Sequence, residues 1–292
     1  MNRILDVHHH VFPQGTTHHQ WDIVKDHNDM EEAGISHVLL SCPVPLLSKQ
    51  VREVNELLAE SARKYPDMYY PLASVAFDDI DQALEEIAYA SDILHMKGFI
   101  LSSNNHSIYI SDDSLDPLFD ELNRRKSVVF LHPSPKRAKG YDVYLEGADD
   151  SAYEYTFETT RSMMDYIYKD KMLRNPDIRW VLAHAGGTIP FLGHRVSFAS
   201  TWHAARQEPE LIEKQIQSLY YDLALSNDQK IYRFLKDFCG TSHILFGSDC
   251  PAHKVPDIVE SIRDLEDSDV FDEDEKDKIA YSNSAELFNI KI

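Results

Sequence analysis

Short apolar runs alternate along the chain with longer segments in which apolar residues recur every three or four positions. The short runs predict β-strands, and the three-to-four spacing predicts amphipathic helices. Strands that alternate with helices in this way build parallel sheets from βαβ units. We count eight candidate strands, at residues 4–8, 37–41, 72–76, 98–102, 128–132, 180–184, 219–223 and 244–248.

The helical segments end at residues that favour helix termination. Ile23, Met30 and Ala33 lie on one helical face, and Gly34 follows where a left-handed residue often ends a helix. Eight such units can close into a barrel, whereas an open doubly wound sheet usually has a glycine-rich phosphate turn after its first strand. Histidines follow the first strand here. We therefore predict a (β/α)8 TIM barrel that forms a single domain over residues 1–292.

Two connections are longer than the short loops typical of this fold. The segment 133–155 combines lysine and arginine with several tyrosines, and we expect it to cover the mouth of the barrel. A pair of helical patterns, at residues 191–205 and 211–217, follows the sixth strand.

Charge and cysteine content exclude several classes of protein. The formal net charge of -20 disfavours nonspecific binding to nucleic acid, because a phosphate backbone repels an acidic surface. No run resembles a signal peptide or approaches membrane-spanning length, so we expect a cytoplasmic protein without a membrane partner. The three cysteines lack Cys-x-x-Cys spacing and predict buried free thiols, with neither a disulfide framework nor a thiolate metal site.

Polar residues stand at the predicted C-terminal ends of four strands, the end at which TIM barrels carry their active sites. Because strand side chains alternate, His8 and His10 share one face and His9 takes the other. Imidazole and carboxylate groups are suitable ligands for zinc and related divalent ions. The other three strand ends carry His132, His184 and Asp249.

Each of these signals alone has a simpler explanation. A His-x-His pair can arise by chance in a chain with 15 histidines, and a lone histidine is more often structural. The Asp of a Gly-Ser-Asp sequence can cap the following helix. Burying all four polar ends on one rim without an ion would be costly. Together they predict one divalent ion bound by His8, His10, His132 and Asp249.

The ordered motifs resemble those of the amidohydrolase superfamily, in particular its amidohydrolase-related branch of mononuclear metal enzymes. That branch includes decarboxylases of aminocarboxymuconate semialdehyde, 6-methylsalicylate and γ-resorcylate. The resemblance rests on Asp6-Val7-His8-His9-His10, Phe130-Leu131-His132-Pro133, His184-Ala185-Gly186-Gly187-Thr188, Leu245-Phe246-Gly247-Ser248-Asp249 and Asn283-Ser284-Ala285-Glu286-Leu287-Phe288.

The resemblance implies the same four metal ligands and makes His184 a catalytic acid/base beside them. Binuclear members of the superfamily carry a carbamylated lysine at the end of strand four. Ser102, Ser103 and Asn104 stand at that end here, which favours a single ion. Zinc is the expected metal, manganese is the alternative, and no organic cofactor is required. Analogy with the family suggests a homodimer.

We expect a nonoxidative decarboxylase acting on a small aromatic or conjugated carboxylic acid, because Phe157-Glu158-Thr159-Thr160-Arg161 resembles the methylsalicylate decarboxylase group. His184 or Asp249 would supply the proton that replaces carbon dioxide. Arg161 would bind the substrate anion, and Phe157 would contact its ring. The alternative is a hydrolase that opens a lactone or amide with metal-bound hydroxide, for which the same ligands serve. The third hypothesis is a noncatalytic metal-binding or scaffold protein that keeps the barrel without turnover.

Overall fold

Eight parallel strands form one continuous sheet in the computed structural model, which describes residues 1, 3–12, 21–135, 150–199 and 207–290. The spatial order is β1-β2-β3-β4-β7-β8-β9-β10, and β5 and β6 form a separate antiparallel hairpin. The strands are β1 Leu5–His10, β2 His37–Ser41, β3 Tyr69–Ser74, β4 Gly98–Ser102, β5 Asn104–Asn105, β6 Ile108–Tyr109, β7 Val128–His132, β8 Arg179–Leu182, β9 Tyr220–Asp222 and β10 Ile244–Leu245.

Backbone hydrogen bonds join β1 to the segment around and after β10, so that the sheet closes on itself. The Val7 N–H donates to the carbonyl of Phe246 at 3.1 Å, and the Asp249 N–H donates to the carbonyl of His8 at 2.8 Å. The His10 N–H donates to the carbonyl of Cys250 at 2.7 Å. The structure therefore confirms the predicted (β/α)8 barrel.

Helices surround the barrel, and the first of them ends at the glycine that the sequence predicted. Asp22 caps α1 by accepting from two backbone N–H groups, and Gly34 ends the helix in a left-handed conformation. The helices are α1 Ile23–Ala33, α2 Ser48–Lys64, α3 Ile80–Asp92, α4 Asp116–Arg124, α5 Glu154–Tyr168, α6 Lys171–Arg174, α7 Ile189–Ala199, α8 Pro209–Gln217, α9 Gln229–Cys239, α10 Val255–Glu266, α11 Glu273–Asp277 and α12 Asn283–Leu287.

A register shift in β1 positions the histidines at the barrel mouth. The pairing of β1 with β2 slips between Asp6 and His9. Val7 belongs to the inner core of the barrel, and His8 packs edge-on against Phe130 of the same core. The shift resets the side-chain alternation, so that two consecutive residues face the interior. His9 then faces outward, as the sequence pattern predicted.

Four of the eight predicted strands, the third, sixth, seventh and eighth, end earlier than we expected. The sixth stops at Leu182 instead of residue 184, and the eighth stops at Leu245 instead of residue 248. His184 and Asp249 adopt positive φ angles of 55° and 61°, which strand geometry excludes. The chain turns away from the sheet where these side chains are presented.

The two predicted long connections lie partly in the described chain. Residues 136–149 of the predicted mouth-covering segment, including Lys136, Arg137 and Lys139, fall outside the described residues. Helices α7 and α8 confirm the pair of helical patterns after the sixth strand, although residues 200–206 fall outside the described part. No helix in the described part of the chain is long and apolar enough to cross a bilayer.

A substitution at Gly187 tests how tightly α5 packs against the turn after β8. Its φ is +65°, and a Cβ there would lie 2.2 Å from the Thr156 carbonyl oxygen. We expect Gly187→Ala to lower the free energy of unfolding by about 2–4 kcal/mol in urea titrations, through both backbone strain and overpacking. The control Gly34→Ala, also at positive φ but with no atom within 4 Å, should cost about 1–2 kcal/mol. Equal losses would contradict the packing argument.

Candidate metal centre and active site

The four side chains predicted to bind a metal meet at the C-terminal mouth of the barrel. His8, His10, His132 and Asp249 are all buried, and each offers one ligand atom within 4.8 Å of the others. The Nε2 atoms of His10 and His132 are 3.1 Å apart. One carboxylate oxygen of Asp249 lies 3.4 Å from His8 Nε2 and 3.5 Å from His10 Nε2. The structure thus forms a His/Asp site of suitable composition for a divalent ion.

Hydrogen bonds on the outer ring nitrogens orient two of the imidazoles toward this point. His8 Nδ1 donates to the Asp222 carboxylate at 2.7 Å, and His132 Nδ1 donates to the Pro133 carbonyl at 2.9 Å. Carboxylate and carbonyl oxygens can only accept, so both Nδ1 atoms carry the proton. The inner Nε2 of each ring is left for an ion, and His8 Nε2 is buried without a hydrogen-bond partner in the described chain.

Ser41 orients the third imidazole in the same way. Its hydroxyl donates to the His9 carbonyl at 3.0 Å and therefore accepts from His10 Nδ1, also at 3.0 Å. The Nε2 lone pair of His10 then faces that of His132. Two lone pairs at this distance repel each other unless a cation lies between them. The orphaned nitrogens and the donor set therefore fit a bound metal ion.

The charge states of the four groups are complementary. Burial lowers the pKa of His8, but the carboxylates of Asp222 and Asp249 raise it more, to about 10. Burial and neighbouring imidazoles hold the pKa values of His10 and His132 well below the usual range. Burial raises the pKa of Asp249, but the nearby histidines bring it well below its usual range. Near neutral pH an imidazolium at His8 thus supplies the positive charge that an ion would replace.

His184 lies beside these four groups. Its Nε2 is 3.5 Å from the second carboxylate oxygen of Asp249, and its Nδ1 is buried without a hydrogen-bond partner in the described chain. His184 and Ala185 both have left-handed backbone conformations, with φ values of 55° and 54°. The His184 N–H donates to Asp222 at 2.9 Å, which anchors this turn.

Arg161 and Phe157, the predicted substrate contacts, both lie on α5. Arg161 forms an ion pair with the buried carboxylate of Glu158 and lines a small cleft with Ser134, two residues after His132. Phe157 is 45% exposed, with its ring 6.4 Å from that of Tyr153. The structure thus brings Arg161 to the mouth region, and no described contact joins Phe157 to the four-residue centre.

The end of β4 has no lysine that could bridge two ions. Ser103 Oγ accepts the backbone N–H of Ser134 at 2.9 Å, and Asn104 donates to Glu158 at 2.6 Å. These side chains are engaged in hydrogen bonds that connect β4 to the next βα loop and α5.

Sequence reasoning missed Asp222, Ser41 and Glu158, which position the groups described above. Asp222 is fully buried, and its carboxylate accepts from His8, His184 and the Ala224 N–H. An aspartate in the otherwise apolar strand at 219–223 was a visible signal, because buried carboxylates need partners. Ser41 had no such signal, since a serine at a strand end is common.

Replacing Asp222 should weaken metal binding. Asp222→Asn keeps one oxygen, so the amide can accept from His8 or from the His184 turn but not from both. We expect the dissociation constant for zinc to rise about 10–100-fold, measured by competition with a chromogenic chelator. The surface variant Asp237→Asn on α9 is the matched control. Equal zinc affinities in the wild type, Asp222→Asn and Asp237→Asn would contradict the proposal that Asp222 orients His8.

Metal binding should release a proton from His8. Its pKa of about 10 means that the ring is protonated below that pH, so an ion must displace the proton and binds more tightly as the pH rises. We expect about one proton per ion near neutral pH. Calorimetric titration in two buffers with different ionisation enthalpies measures this number. Identical heats in both buffers would show that no proton leaves.

Several decarboxylases are similar in sequence over most of the chain. A family model described as Amidohydrolase matches residues 5–290. A decarboxylase of Aspergillus niger is 30% identical, with 99% of this chain and 88% of the relative covered. The 6-methylsalicylic acid decarboxylase of Aspergillus aculeatus is 29% identical, with 85% and 84% covered. These relatives agree with the predicted enzyme class, a carboxy-lyase ahead of a hydrolase.

Solved structures share the fold. The 5-carboxyvanillate decarboxylase of Sphingomonas paucimobilis superposes with a TM-score of 0.89 at 20% identity, covering 100% of both chains. A dihydroxybenzoic acid decarboxylase of a Polaromonas species, solved with manganese and 2-nitroresorcinol, gives a TM-score of 0.84 at 17% identity, covering 99% of this chain and 98% of its own. The match of the family model over residues 5–290, together with the shared barrel, shows that this chain belongs to the amidohydrolase family.

Proposed function

We propose that this chain is a metal-dependent nonoxidative decarboxylase of a small aromatic carboxylic acid. The observation that carries the proposal is the placement of His184, which lies against Asp249 beside the metal-binding site. The decarboxylase relatives that align along the chain support the same reaction. We also propose that residues 1–292 work as one domain, with the segment 133–155 over the mouth.

We assign His8, His10, His132 and Asp249 as the metal ligands. When bound, the ion would act as a Lewis acid that polarises an oxygen of the substrate and stabilises negative charge on it. Zinc is our first choice because imidazole-rich sites bind it well. Manganese is the alternative, since it occupies the structure of the dihydroxybenzoic acid decarboxylase. No organic cofactor is required by this chemistry.

The reaction exchanges a carboxylate for a proton at one ring carbon. Carbon dioxide leaves without the bonding electron pair, which stays on the ring carbon and takes up the proton. His184 and Asp249 are 3.5 Å apart and can pass this proton between them, so we assign His184 as the acid that delivers it. Asp249 then serves both as ligand and as the partner that orients the imidazole.

We propose that Arg161 binds the anionic substrate and that Phe157 contacts its ring. The buried carboxylate of Glu158 fixes Arg161, while Asn104 and the Tyr109 hydroxyl donate to the same carboxylate at 2.6 Å and 3.1 Å. A guanidinium held in this way recognises a carboxylate with little loss of side-chain entropy.

We further propose a homodimer, as analogy with the family suggests. Phe191 and Phe198 lie seven residues apart on α7, are 81% and 48% exposed, and could contribute to such an interface. Analytical ultracentrifugation tests this assembly.

The proposal is tested by product analysis. Protein loaded with zinc or with manganese is incubated with 6-methylsalicylate, 2,6-dihydroxybenzoate and 5-carboxyvanillate. We expect one of these acids to lose carbon dioxide and gain a proton, detected by mass spectrometry, and chelator-treated protein to be inactive. Rapid hydrolysis of simple lactones, with every aromatic acid left intact, would instead identify a hydrolase.

Removing the proposed acid should stop the reaction without removing the ion. His184→Asn is expected to lower kcat about 10²–10⁴-fold, the range for loss of general acid catalysis, while metal content stays at the wild-type level. His194→Asn, an exposed histidine on α7, is the control. Wild-type turnover in His184→Asn would exclude His184 as the proton donor.

A further inference from the structure

A second group of potential metal ligands lies behind β1, on the face opposite the active site. His9, Asp26 and Cys250 each bring one ligand atom within 4.8 Å of the others. All three residues are buried, with exposed fractions of 0%, 7% and 6%. They come from β1, the first turn of α1 and the segment after β10, so the cluster exists only in the folded barrel.

We propose that these three residues bind a second divalent cation, a thiophilic one such as zinc. Thiolate sulfur, imidazole nitrogen and carboxylate oxygen are all common zinc ligands. Hard ions such as magnesium prefer oxygen alone and are disfavoured by the thiol. On binding, the Cys250 thiol gives its proton to solvent and its sulfur forms a bond to the ion.

Neighbouring side chains orient the potential ligands of the cluster. His9 Nδ1 faces a buried carboxylate oxygen of Asp6 at 3.4 Å, while its Nε2 lies 3.0 Å from one oxygen of Asp26. The Tyr69 hydroxyl donates to the other oxygen of Asp26 at 2.8 Å, which fixes the carboxylate. An imidazole that is oriented by one carboxylate on Nδ1, and that presents Nε2 to a cluster with a second carboxylate and a thiol, is a preformed ligand set.

A cavity provides access to the cluster. It measures about 380 Å³, and its described lining includes Asp26 and Cys250 together with Trp21, His253 and Lys254. This cavity lies between α1 and the start of α10, outside the barrel. An ion can therefore reach the cluster without passing through the mouth that His8 and His10 line.

The proposed ion would connect the first strand of the barrel to the segment that follows the last strand. Cys250 and His9 form the bridge that closes the sheet, and Cys250 follows the metal ligand Asp249 directly. An ion held by both residues would tie the first strand to the last and would fix the backbone next to the active-site ligands. We therefore assign it a structural role, one that does not depend on the proposed decarboxylase activity.

Cobalt and cadmium distinguish the two sites because only the second contains sulfur. Metal-free wild-type protein is titrated with Co²⁺ and followed by near-ultraviolet absorption, where thiolate-to-cobalt charge transfer appears. A parallel sample with ¹¹³Cd²⁺ is examined by NMR. We expect two bound ions per chain, a charge-transfer band, and two cadmium resonances, one shifted downfield by the thiolate.

Variants of the three cysteines assign the sulfur ligand. Cys250→Ser should lose the charge-transfer band and one equivalent of bound metal, whereas Cys42→Ser and Cys239→Ser should keep both. One ion per chain without a sulfur band in the wild type would overturn the proposal, and this result needs no variant to fold. A band that persists in Cys250→Ser would also overturn it, because the thiolate would then belong to another cysteine.

Discussion

The hydrogen bond between Asp222 and His8 is the contact on which the active site depends. One oxygen of the carboxylate accepts a hydrogen bond from the ring of His8, a proposed metal ligand, at 2.7 Å, and the other accepts from the backbone N–H of His184 at 2.9 Å. The same charge raises the pKa of His8 and so keeps positive charge at the centre of four buried polar groups. A single buried aspartate therefore couples the position of the ion site to that of the adjacent imidazole.

The barrel provides rigid support for these groups because they stand on different strands. The register shift in β1 lets Val7 fill the inner core while His8 and His10 reach the mouth. The positive φ values at His184 and Asp249 turn their side chains toward the same point. Such conformations persist only where the surrounding structure holds them, here through Asp222 and the backbone pairing with His8.

The sequence was sufficient to predict the barrel and the four polar side chains that meet at its mouth, since strand periodicity and the chemistry of strand ends are local signals. His8, His10, His132 and Asp249 could be selected because each lies at or just beyond the end of a predicted strand. Strand ends were placed less well, because the left-handed turns at His184 and Asp249 carry no glycine to mark them. The grouping of His9, Asp26 and Cys250 could not be predicted, because it depends on how α1 and the last loop pack against β1.

The ligands of the mouth come from both extremes of the chain, since His8 and Asp249 become neighbours only when the first and last strands pair. His8 and His10 can therefore share an ion with Asp249 only after the last strand has been synthesised and has paired with the first. A chain that ends before Asp249, or in which β1 has not paired with the segment around β10, has the imidazoles without the carboxylate of Asp249. An ion bound by all four groups would therefore require that the first and last strands have already paired.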